Sequence, residues 1–102
     1  MLSLIDQHKK EELTAVIACL AMRISNLSTL TVYYEYRDKY LFISVYNSSE
    51  TILSSFINLN GDETLTKLTD ACTTLLKTWE DIKVSLVTMA NYYSSEKIRI
   101  AA

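Results

Sequence analysis

Leu65, Leu68, Cys72, Leu75, Trp79, Ile82, Leu86, Met89 and Tyr93 follow one another at alternating steps of three and four. That spacing is the heptad period, one apolar stripe down a single helix. Nothing breaks it: the chain has no proline, and its only glycine is Gly61. A helix over residues 63–94 is about 48 Å long at 1.5 Å per residue, whereas a strand of eight residues spans only about 27 Å. A sheet of such strands cannot cover this helix. The far end of the stripe, Leu86, Met89 and Tyr93, therefore needs another helix, a second copy of the chain, or a partner protein, and we assign these three residues to self-association.

The rest of the chain supplies one more helix and three strands. Leu13, Val16, Ile17, Leu20, Ile24 and Leu27 recur at helical spacing, with Ser3 or Asp6 placed to cap the start and Asn26-Leu27-Ser28 to form the exit. Residues 29–37 and 40–47 are rich in Thr, Val, Tyr, Phe and Ile, which suit a pleated surface. Asp38-Lys39 between them reads as a two-residue hairpin loop. That loop sets Val32 against Val45, Tyr34 against Ile43 and Tyr36 against Leu41 on one face, which we expect to be core. The other face collects Tyr33, Glu35, Arg37, Tyr40, Phe42 and Tyr46, because side chains alternate strictly along a strand.

The third strand, Thr51 to Leu59, can face either way. A two- or four-residue loop before it turns Ile52, Ser54 and Phe56 inward; an odd loop turns Leu53, Ile57 and Leu59 inward. Asn60-Gly61-Asp62 makes the next turn, with positive φ expected at Gly61 and a helix cap at Asp62. Ser94-Ser95 is expected to end the long helix, and Lys97-Ile98-Arg99-Ile100 alternates like a short terminal strand. The expected fold is one α+β domain over residues 1–102. It has two layers in the order α-β-β-β-α: an antiparallel three-stranded sheet with two helices on one face, the C-terminal helix being the long one.

Composition narrows the chemistry. Twelve acidic and ten basic residues leave a net charge of −2, which falls within residues 29–62, so no basic surface advertises nucleic acid. The most apolar run, Leu13 to Met22, is well short of the roughly 20 residues that cross a bilayer. Val16-Ile17-Ala18-Cys19 has the look of a lipoprotein cleavage box, but Glu11-Glu12 lie just ahead of its short apolar run, so no secretory leader is expected. Cys19 and Cys72 have no partner at metal-ligand spacing, and the expectation is two reduced thiols in a cytoplasmic protein. The single histidine, His8, stands among charged residues, so no nucleophile–base pair is in sight. There is no phosphate-binding glycine loop, and Glu80-Asp81 diverge on a helix rather than forming a dyad. We expect neither enzyme activity, nor a cofactor, nor a metal.

What remains is binding. Tyrosine gives large contact area at low entropic cost and keeps a hydroxyl for water, and it is enriched at interfaces. Tyr33, Tyr40, Phe42 and Tyr46, with Arg37, are the candidate partner-binding residues, and the expected role is a small non-enzymatic inhibitor or regulator of another protein, with a homodimer as a further expectation. Stacking of single-stranded nucleic acid on the same tyrosines is the alternative from another class, and a small dimeric chaperone is a variant of the first. The order of elements is similar to that of double-stranded-RNA-binding domains and of some small phage inhibitors of bacterial defence nucleases. The RNA-binding family carries a Lys-Lys-x-x-Lys cluster at the start of its second helix, where this chain reads Glu63-Thr64-Leu65-Thr66-Lys67. The phage likeness is one of element order and implies at most a phage-type inhibitor acting on a host protein complex.

Overall fold

The computed structural model describes residues 3–101, with side chains described from 3 to 91. Helix α1 (Leu4–Leu27) leads into strands β1 (Thr31–Tyr36), β2 (Tyr40–Tyr46) and β3 (Thr51–Asn58), and helix α2 (Thr64–Ala101) closes the chain. The strands form one antiparallel sheet in the order β1-β2-β3. Both helices pack on the same face of it, as expected for the α-β-β-β-α layout.

Helix α1 starts at Ser3, whose hydroxyl accepts from the Asp6 amide at 3.1 Å, so the cap is Ser3 and not Asp6. It ends at Ser28, whose hydroxyl donates to the Ile24 carbonyl and accepts from the Leu30 amide. The buried stripe is Ile17, Leu20, Ala21 and Ile24, while Val16 and Leu27 at its margins stay exposed. The two helices run in the same direction. Near their starts the Cys72 thiol donates to the Leu13 carbonyl at 3.7 Å, and near the end of α1 the Arg23 guanidinium lies 5.9 Å from the Trp79 ring centre.

The hairpin register is the one a two-residue loop requires: Val32 opposite Val45, Tyr34 opposite Ile43, Tyr36 opposite Leu41. The Arg37 amide donates to the Tyr40 carbonyl at 2.8 Å and closes the loop. Leu41, Ile43 and Val45 on β2 are fully buried, because β2 lies between the other strands beneath both helices. Tyr34 and Tyr36 do not join them as core residues; they are 36% and 55% exposed. β1 is an edge strand, flanked by β2 on one side only, so these rings keep contact with water. Burial, with Tyr36 beside it, still pushes the Tyr34 phenol above its ordinary pKa.

A β-bulge decides the third strand. Asn47–Glu50 form the four-residue turn, with the Asn47 amide donating to the Glu50 carbonyl and the Asn47 side-chain oxygen accepting from the Ser49 amide, both at 3.0 Å. By simple counting that turn would bury Ile52 and Phe56. Instead Tyr46 pairs with Thr51 and Val45 with Leu53, so Ile52 is an extra residue and every later side chain changes face. Leu53, Ile57 and Leu59 point inward, and Phe56 points out.

The following turn departs from expectation twice. Gly61 does not have positive φ, and Asp62 does not cap α2. The chain is held by Thr64, 1% exposed, whose hydroxyl donates toward the Asn58 and Gly61 carbonyls at 2.6 and 2.8 Å and accepts from the Gly61 amide at 3.1 Å. Nor does α2 stop at Ser94-Ser95. It runs through Lys97–Ile100 to Ala101, and its 38 residues span about 57 Å. Two serines cost a helix little, and each further residue adds a hydrogen bond.

Candidate functional site

Both helices cover one face of the sheet, which leaves the other open. On it the hairpin register aligns Tyr33 with Ser44 and Glu35 with Phe42, and the bulge register aligns Phe42 with Phe56 and Tyr40 with Asn58. The aromatic groups meet on the diagonals. Tyr33 stacks on Tyr46 with ring centres 6.1 Å apart, and Tyr40 stacks on Phe56 at 4.8 Å. Tyr33 and Phe56 are 58% and 59% exposed, while Tyr40, Phe42 and Tyr46 are half-buried among their neighbours. Ser44, flanked by this aromatic layer, is nearly inaccessible although no helix covers it.

Charge on this face is tied up locally. The Glu35 carboxylate accepts from Arg37 Nε at 3.0 Å and from the Tyr40 hydroxyl at 3.1 Å. Its hydrogen bond to Glu35 is the chief reason the Arg37 guanidinium is held even more firmly protonated than usual. One acid and one base pinned together give a neutral, aromatic surface with polar hydroxyl groups. It can offer large, stiff contact area and directed hydrogen bonds, and it offers no positive groove.

The structure thus gathers Tyr33, Tyr40, Phe42, Tyr46 and Arg37 on one surface and adds Phe56. The sequence pattern left Phe56 undecided because a bulge has no marker in composition. Phe56 is the one bulky apolar residue of the third strand on this face, since Leu53 and Ile57 turn inward and Ile52 lines a different feature.

That feature is a groove of about 720 Å³ on the helix side. Leu27 at the end of α1 and Leu30 beyond it, Ile52 at the bulge, and Ile82, Leu86 and Met89 of α2 supply its apolar lining, with Lys77 and Asp81 beside them. The heptad stripe runs from core to water along this line. Leu68, Cys72 and Leu75 are buried, Trp79 and Ile82 half-buried, and Leu86 and Met89 are 40% and 53% exposed. The side chain of Tyr93 lies outside the described residues.

Other reactive groups are dispersed. His8 is exposed and sits 3.6 Å from Glu12 one turn on. Both cysteines are free; Cys72 is buried, and that burial pushes its thiol pKa up, which disfavours the nucleophilic thiolate. Among the described residues no three His, Cys, Asp or Glu side chains converge in a metal-binding arrangement, and no helix is long and apolar enough to cross a membrane. Comparison with known protein families, curated proteins and solved structures finds no match to this chain.

Proposed function

We propose that this protein is a non-catalytic binding module, a small inhibitor or regulator that docks on another protein through the open face of its sheet. The observation that carries the reading is the layer of five aromatic rings, Tyr33, Tyr40, Phe42, Tyr46 and Phe56, on a face that neither helix covers. Contiguous exposed aromatic surface of this kind is costly to leave in water and is typical of interface centres. Tyr33, Tyr40 and Phe56 are the anchors, and the Glu35–Arg37 pair is a rim contact that fixes orientation more than affinity. The pinned, neutral charge favours a protein surface over a phosphate backbone, which needs free lysine or arginine.

The test is affinity capture from the protein's native cells with the wild type and with the Tyr33→Ser/Tyr40→Ser/Tyr46→Ser variant. The reading expects a partner protein bound by the wild type and lost by the folded variant. Equal capture by both, or capture of nuclease-sensitive nucleic acid in its place, would count against it.

A further inference from the structure

The apolar stripe of α2 is half used inside the molecule. Through Leu75 it packs on α1 and the sheet, and beyond Ile82 it continues past the end of α1 with its spacing unbroken. We propose that this overhang docks in the groove of a second copy, and that the second copy's overhang docks in return, giving an antiparallel two-fold dimer. The inference is independent of the sheet-face reading, because the groove lies on the helix side of the sheet and both surfaces can be occupied at once.

Three observations select a second copy as the occupant. The first is fit. The groove is lined by α2 from Thr74 to Met89, about 24 Å of helix, and the arm from residue 83 to the helix end at 101 is about 28 Å long. The second is charge. The arm carries Lys83, Lys97 and Arg99 against Glu96, a net +2, so the rest of a chain of net −2 carries −4. A net-positive arm therefore meets a net-negative remainder, while Lys77 and Asp81 in the groove itself balance. Asp81, in the groove wall, makes no ion pair among the described residues, since Lys83 bonds to Glu80 at 2.9 Å.

The third observation is where the bulk of the domain lies. Helix α1 and the sheet flank the first half of α2, so a parallel pair would drive two bodies together and leave both grooves empty. An antiparallel pair lays each arm over the other copy's groove. Layering the heptad stripe in that sense places Leu86 against Met89 of the second copy, with the two-fold axis between residues 87 and 88. Such an isologous contact closes on itself and stops at a dimer.

Light scattering behind size exclusion, at micromolar concentration, reads the outcome directly. The wild type is expected at twice the 11.6 kDa chain mass, and Leu86→Glu/Met89→Glu at the chain mass with an unchanged circular dichroism spectrum. Val84→Glu/Val87→Glu, on exposed positions off the stripe, is expected to remain a dimer. A spin label at Thr73→Cys, with Cys19 and Cys72 replaced by alanine, reports direction. The antiparallel register puts position 73 opposite 102, so the labels lie about 43 Å apart, against about 10 Å for a parallel pair. A monomeric wild type, a dimer that survives Leu86→Glu/Met89→Glu, a control that dissociates equally, or the short label distance would each overturn the proposal.

Discussion

Ile57→Ala and Phe56→Ala, made separately, weigh the bulge register against its one-residue alternative. Ile57 is fully buried opposite Leu41, and its neighbour Phe56 is 59% exposed on the other face. Truncating a fully buried isoleucine forfeits its transfer free energy and leaves a cavity, together about 2–5 kcal/mol. With Leu41, Ile43 and Leu75 in the same fully buried cluster, there is little freedom to collapse, and we place the cost at about 3 kcal/mol. Phe56→Ala loses mainly its stack on Tyr40, about 0.5–1.5 kcal/mol. Urea unfolding followed by circular dichroism measures both. With a slope of about 1.5 kcal/mol per molar, typical of a small domain, the midpoint falls by about 2 M for Ile57→Ala and by less than about 1 M for Phe56→Ala. If Phe56→Ala is the more damaging, the bulge at Ile52 is absent in solution, and the assignment of both sheet faces fails with it.

Thr64→Val keeps the shape but leaves the Gly61 amide and the Asn58 and Gly61 carbonyls without their shared hydroxyl, and is expected to destabilise by about 1–3 kcal/mol in the same assay. Gly61→Ala is expected to be neutral or to stabilise by up to about 1 kcal/mol, because φ is not positive and the new methyl group meets only Asn58 at 3.7 Å. Iodoacetamide at mildly alkaline pH, read by mass spectrometry, should modify half-exposed Cys19 before buried Cys72. Because folding raises the Cys72 pKa, the stability it contributes is intact below the ordinary thiol value and is lost as pH rises through the folded value. The alkaline fall in urea midpoint should therefore be shallower in Cys72→Ala.

The sequence made the hairpin legible down to its register because two signals agreed there. A two-residue gap at Asp38-Lys39 and strict alternation of large apolar groups point to the same pairing, and they place Tyr33, Tyr40, Phe42 and Tyr46 on one face. The third strand was not legible, since Thr51-Ile52-Leu53 suits a bulged strand and a regular one equally, and one unmarked residue reverses every face after it. Tyr34 and Tyr36 were assigned to the right side of the sheet but not to the right depth: parity says which way a side chain points, not whether a helix reaches over it. Lys97–Ile100 shows the limit of short alternation, where local helix propagation from a long stripe outweighs a four-residue strand pattern. The stripe itself foretold a helix too long for its sheet, and the burial gradient from Leu75 to Met89 follows from that length.

Docking of a partner on the open aromatic face is read out residue by residue in the NMR spectrum of the labelled protein titrated with its captured partner. Resonances of Tyr33, Tyr40, Phe42, Tyr46 and Phe56 are expected to shift or broaden while those of Ile17, Ile24 and Leu75 in the helical layer stay in place. Perturbations confined to Leu86, Met89 and the groove, with the aromatic face unmoved, would contradict it.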